Sequence, residues 1–304
     1  MALRGYLLVL LAAVCWGITG PFAKLAFSQG VQPLEVAFWR CVLGFAPFTL
    51  QALLHPDRAG LRLHSRDRLP ILVFALLCVA GFYAVYQLAI QAGGAALASV
   101  LMYTAPAFVA LMAWLVLGES MTPAKLAAVA ATLAGVAAVS GLLTPGGSHT
   151  VGPAALTFGL LSGFTYALYY IFGKHFLSRY RTPVIFMYAL PVGGLVLFPL
   201  TTFTAKTPLA WVGILACGLV ATYAAYSFYY AGLRHLEATR AAVVATLEPV
   251  VAALLAFAWW GESFSGPAWI GSGLILGAVG LTLWDGRRST AAALRRAQGA
   301  ELAP

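Results

Sequence analysis

One carboxylate stands where an apolar helix ordinarily carries none. Glu248 heads the stretch LEPVVAALLAFAWWGES, in which Pro249 follows it and eleven apolar residues come next. An ionised acid in such surroundings is expensive unless something compensates it. Three roles suit it: holding an ammonium group, carrying a proton, or hydrogen-bonding a neighbouring helix while protonated. Aromatic residues recur in other apolar runs. Tyr83, Tyr86 and Gln87 share one helical face, because positions i, i+3 and i+4 line up on a helix. Tyr226 and Tyr230 form a similar stripe, with Tyr223 and Ser227 on the same side. Trp16, Ser99, Tyr103 and Tyr166 complete the set of polar or aromatic groups set deep in apolar surroundings. Tyr6, Trp211 and Trp284 fall near run ends, where aromatic residues anchor at membrane surfaces. Ring faces attract ammonium groups and stack on planar side chains. Such a set suits amino acids, amines and flat organic cations. Phosphate esters need Arg or Lys clamps. Arg40 is the single basic residue well inside an apolar run, and it either faces inward or snorkels out.

Two prolines sit in the same chemistry. Pro106 and Pro249 lack an amide proton, so the carbonyls of Met102 and Ala245 lose their helical partners. Freed carbonyls facing a cavity can receive an ammonium; a kink serving packing alone is the other reading.

These residues need elements that bury them. Of the 304 residues, 62% are hydrophobic and 9% charged, against roughly 25% charged in soluble domains. Runs of about 20 apolar residues span a bilayer as helices. Ten such runs stand out: about 5–27, 34–54, 70–91, 95–117, 123–143, 153–177, 183–203, 208–232, 239–260 and 266–284. The expected class is an all-α polytopic membrane protein. The net charge of +9 does not point to nucleic acid, because its distribution follows the loops. With the N-terminus in the cytoplasm, fifteen of eighteen Lys and Arg lie inside, which predicts both termini cytoplasmic and a plasma (inner) membrane location. Residues 286–304 form a basic cytoplasmic tail. LLAAVC before Cys15 hints at a processing site, but Val14 fits it poorly and the run continues to Phe27, so an uncleaved first helix is expected. Cys15, Cys41, Cys78 and Cys217 all fall inside the runs as packing residues, without metal or disulfide spacing.

A duplication organises the chain. A shift of 143 places Pro106 on Pro249, Gly118 on Gly261, Glu119 on Glu262, Ser120 on Ser263, and Tyr83 and Tyr86 on Tyr226 and Tyr229. Earlier in each half the shift is 150, placing Trp16 on Tyr166, Lys24 on Lys174, Pro33 on Pro183 and Phe48 on Phe198. Residues 5–143 and 153–285 are therefore two five-helix repeats. Five is odd, so the second repeat is inverted in the membrane. That construction is common in secondary transporters, with the site near the midplane between repeats. Glu248 breaks the symmetry, because its counterpart is Ala105. Gly273 and Gly277, with Ala130 and Ala134 at the related place, carry small-residue spacing for close helix approach. A homodimer contact and packing within one chain are both open readings.

Ten helices in two halves, with a proline-led fourth and ninth helix ending in Gly-Glu, resemble the EamA family of the drug/metabolite transporter superfamily. The resemblance covers about residues 5–285 and is greatest to the YddG-type bacterial aromatic amino acid exporters. It implies export of small metabolites, amino acids foremost, by alternating access and without a cofactor. The expected partners are a small-molecule substrate and the lipid bilayer. An enzyme is disfavoured: His55, His64, His149, His175 and His235 lie in loops or at run ends, as do Asp57, Asp67 and Asp285. No Gly-Lys-Ser/Thr phosphate loop is present, so the chain is not itself an ATPase. A passive channel is the second rival.

Overall fold

The computed structural model describes residues 2–56, 59–139, 152–260 and 266–301, and every regular element among them is helical. Among the described residues eight helices are long and apolar enough to cross a membrane: α1 (Leu3–Ser28), α2 (Pro33–Leu54), α3 (Ser65–Ile90), α4 (Leu97–Leu117), α6 (Pro153–Phe176), α7 (Thr182–Leu200), α8 (Pro208–Leu233) and α9 (Ala238–Trp259). The shorter apolar helix α5 covers Pro123–Val139, and α10 covers Gly266–Glu301. Prolines open α2, α6, α7 and α8 within their first two positions, where a missing N–H loses no hydrogen bond. The expected end of the tenth run at 284 moves: the described part of the basic tail prolongs α10 as helix to Glu301. Its Ala, Leu, Arg and Gln residues are strong helix formers with no proline among them. The junction at 140–151 and the segment holding Gly261, Glu262 and Ser263 lie outside the described residues.

The packing repeats between the halves. α2 lies along α7 and α5 along α10, while α6 packs against α3 and α4 as α1 packs against α8 and α9. Related helices run antiparallel. Phe38, early in α2, meets Phe198 late in α7 at 5.9 Å, and Phe48, late in α2, stacks on Phe186 early in α7 at 4.9 Å. Thr122 beside α5 donates to Asp285 of α10 at 3.2 Å, whereas a Cβ on Gly135 would lie 2.8 Å from the Gly271 carbonyl oxygen. Gly135 and Gly271 thus make the close α5–α10 approach. Gly273 and Gly277 do not: a Cβ on either meets nothing within 4 Å, and both face outward, as do Ala130 and Ala134.

Local irregularities repeat as well. π-helical turns occupy Ala75–Gly81 in α3 and Ala216–Ala224 in α8. α4 is interrupted between Met102 and Ala105, and α9 between Ala245 and Glu248. Thr104 and Thr246 mark the interruptions, each bonding its hydroxyl back to a carbonyl three residues earlier, at 2.6 and 2.5 Å. Pro106 and Pro249 sit in the first turns of the half-helices Ala105–Leu117 and Glu248–Trp260. They start new helices beyond a break, and Met102 and Ala245 close the half-helices before it.

Candidate functional site

Both interruptions border a cavity of about 500 Å3, with Met102, Tyr103 and Glu248 in its lining. Eight of the acidic, polar and aromatic residues singled out in the sequence line it: Trp16, Tyr83, Tyr86, Ser99, Tyr103, Tyr166, Tyr226 and Glu248. They come from α1, α3, α4, α6, α8 and α9, so the cavity sits between the two halves. Tyr230 does not line it. That residue is fully buried behind Phe186, with its hydroxyl on the Tyr169 carbonyl at 3.2 Å. The Gln87 side chain lies outside the described residues.

The aromatic wall is continuous. Trp16 meets Tyr226 edge-on at 5.5 Å, and Tyr226 stacks on Tyr169 at 5.4 Å. Phe82 stacks on Tyr166 at 5.2 Å and on Tyr86 at 5.9 Å. Glu248 is the first residue of its half-helix, where unpaired amide N–H groups favour negative charge. The Tyr166 hydroxyl lies 3.5 Å from its Oε2. Alanine at any one of Trp16, Tyr83, Tyr103, Tyr166 or Tyr226 is expected to weaken substrate affinity about fivefold, roughly 1 kcal/mol for a lost ring contact. Unchanged affinity and rate across all five well-expressed variants would place binding elsewhere.

Arg40 also lines the cavity, which settles the choice between an inward and a snorkelling side chain in favour of the former. Its Nε donates to Thr222 Oγ1 at 3.0 Å, its Nη2 to the Ala221 carbonyl at 3.5 Å, and its guanidinium lies 5.2 Å from the centre of the Tyr83 ring. Both acceptors belong to the π-helical turn of α8, whose altered register also lets the Thr222 hydroxyl bond Cys217 O at 2.9 Å. Nothing in the spacing of Arg40 announces that turn.

The two ends of the cavity differ. Lys24, Phe27 and Pro33, at the end of α1 and the start of α2, line one end. Beyond the tyrosine wall the opposite end is tied shut. Gly118, at φ 67°, closes α4 in the left-handed conformation, and Glu119 N–H bonds back to Ala113 O at 3.0 Å. That turn aims the Glu119 carboxylate at the start of α9, where it accepts from Ala238 N–H, from Thr239 N–H at 3.2 Å and from the Thr239 hydroxyl at 2.9 Å. Lys174 Nζ donates to the carbonyls of Leu233, at 2.7 Å, and Leu236, at the end of α8. Lys125 pairs with Glu237 at 2.9 Å, and Arg240 bridges Glu237 and Asp285 at 2.9 and 3.0 Å. The sequence signal for Glu119 and Lys174 was their place in the repeat; their bonding partners had none. Among the described residues no cluster of three His, Cys, Asp or Glu could hold a metal.

Comparison with known proteins agrees with a membrane transporter. The chain is 29% identical over 301 residues to the uncharacterized inner membrane transporter YicL of Salmonella typhimurium, covering 95% of this chain and 98% of that protein. It is 29% identical over 279 residues to an uncharacterized transporter of Archaeoglobus fulgidus, covering 91% and 94%. A probable terminal-alkyne amino-acid exporter of Streptantibioticus cattleyicolor is 28% identical over 280 residues, covering 89% and 90%. A solved crystal structure shares the fold at a TM-score of 0.81 and 19% identity, covering 93% of this chain and 98% of that one. The EamA-like transporter family matches residues 3–141 and again 153–284, nearly the whole of both halves, and the chain belongs to that family of membrane transporters.

Proposed function

We propose that the protein is a secondary carrier exporting small metabolites of the amino-acid class across the inner membrane by alternating access. The observation that carries this reading is the cavity between the halves, closed at the Glu119–Lys174 end and lined at the other by Lys24, Phe27 and Pro33. A passage with one closed end is one state of a carrier, whereas a channel needs both ends open at once. Support for an inverted repeat comes from the antiparallel pairing of α2 with α7 and of α5 with α10. Support for amino acids over phosphate esters comes from the aromatic wall and from the amino-acid exporter among the relatives. Association of two copies through Gly273 and Gly277 remains part of the proposal, both being open on the outer face.

Proteoliposomes preloaded with unlabelled amino acids test it. Saturable uptake of a labelled amino acid, accelerated by the internal pool, is the expected result. Flux that neither saturates nor shows counterflow would make the protein a channel. The proposed topology places both termini and Ser65 in the cytoplasm. Single cysteines at the repeat-related and exposed Ser28 and Ser178, in a background without the four native cysteines, are expected to react with an impermeant thiol reagent from opposite sides; same-side reaction would remove the inverted orientation.

A further inference from the structure

Lys24 stands at the mouth of the cavity; deeper in, Arg40 and Glu248 supply one charge of each sign, and these two do not pair. Among the described residues no ion pair joins Arg40 to Glu248, or either of them to another charged side chain. Arg40 uses two of its five N–H donors on Thr222 and Ala221. Glu248 has a tyrosine hydroxyl beside it and no cation. Leaving a charge unpaired inside a membrane bundle is costly, and such residues mark ligand paths.

The repeat sharpens the point. Arg40 corresponds to Leu190 and Glu248 to Ala105, so neither charge has a counterpart in the other half. Residues that open and close the two ends in turn belong in both halves, as Lys24 and Lys174 do. Residues present once, with opposite charge, suit a ligand whose two ends differ. The wall around them is aromatic and apolar: Trp16, Phe82, Tyr86 and Met102 all line the cavity.

We infer that the cavity binds a zwitterion, an α-amino acid with an apolar or aromatic side chain, its carboxylate held by Arg40 and its ammonium by Glu248. This inference rests on the carrier reading above and narrows its substrate class. An amine without a carboxylate would bring a second cation beside Arg40. A phosphate ester would set its negative charge against Glu248. An amino acid satisfies both groups at once: the planar guanidinium matches a carboxylate fork, and the carboxylate beside Tyr103 and Tyr166 receives the ammonium.

Binding of three matched probe series to the purified full-length protein tests the inference: apolar and aromatic L-amino acids, their decarboxylated amines, and their deaminated acids, for example phenylalanine, phenethylamine and 3-phenylpropionate. At least one amino acid is expected to bind at least about thirtyfold more tightly than either of its one-charge relatives, the effect of losing one partner of a desolvated charge pair. Arg40→Met is expected to abolish that preference over the amine, and Glu248→Gln the preference over the acid. Thermal unfolding in detergent checks that both variants fold, and the wild-type series decides the question if they do not. Amines or acids binding as tightly as the amino acids, or no amino acid binding at all, would overturn the inference. Counterflow of an amine or an acid alone would keep the carrier and remove the zwitterion; flux without counterflow would remove the carrier itself.

Discussion

Glu248→Gln is expected to lower affinity for a transported amino acid at least about thirtyfold at every pH from roughly 5 to 8. The substitution keeps size and hydrogen bonding while removing the negative charge. Glu248 starts a half-helix and faces the cavity, so the lost charge is the one that would meet the ammonium. A uniform loss across pH is the signature of a ligand contact. A proton carrier behaves differently: pH-driven accumulation would vanish while substrate exchange persisted. Wild-type affinity and transport across the whole range would leave Glu248 only a structural role and withdraw it from the site. Measuring exchange and net accumulation on the same vesicles separates the three outcomes.

Glu119→Ala is expected to open the closed end of the cavity. The carboxylate satisfies two backbone N–H groups and one hydroxyl at the start of α9, all buried. Leaving three buried donors without an acceptor costs on the order of 1–3 kcal/mol each, enough to shift a two-state equilibrium more than a hundredfold. A single cysteine at Ala242, fully buried in the first half of α9, reports the change. Its reaction with a thiol reagent from the cytoplasmic side is expected to rise more than tenfold. Lys174→Met is expected to act the same way, because it removes the bonds to Leu233 and Leu236. Lys24→Met is expected to act in the opposite sense. Lys24 is the counterpart of Lys174, and it lines the other end of the cavity together with Ile90, the counterpart of Leu233. Unchanged labelling in Glu119→Ala and Lys174→Met, with transport intact, would reduce this cluster to ordinary packing.

The membrane class, most of the helix spans, the duplication and most of the aromatic wall, though not Phe82 or Tyr169, could be read along the chain. Those properties are written in local order. Apolar length sets the spans, and a fixed offset of 143 or 150 reveals the repeat. Spacing along single helices places Tyr83 or Tyr226 on a face, and depth within a run marks Glu248 as exceptional. What spacing cannot encode is which face meets which neighbour. The Tyr226 stripe was legible, yet only packing against α6 decided that Tyr230 is buried with its ring against Gly173 and its hydroxyl on the Tyr169 carbonyl, while Tyr226 lines the cavity. The inward turn of Arg40 depends on a π-helical segment of α8 that offers Thr222 and Ala221 as acceptors, 182 and 181 residues away. Gly273 and Gly277 have the spacing of a helix contact, but the close approach of α5 and α10 fell to Gly135 and Gly271, one helical face around. Glu119 was visible as a repeated acid and reaches its function only across 120 residues, at the start of α9. Helices are fixed by neighbours along the chain; the pairing of charges and the closure of the cavity depend on contacts between helices far apart in sequence, and the tertiary structure alone decided them.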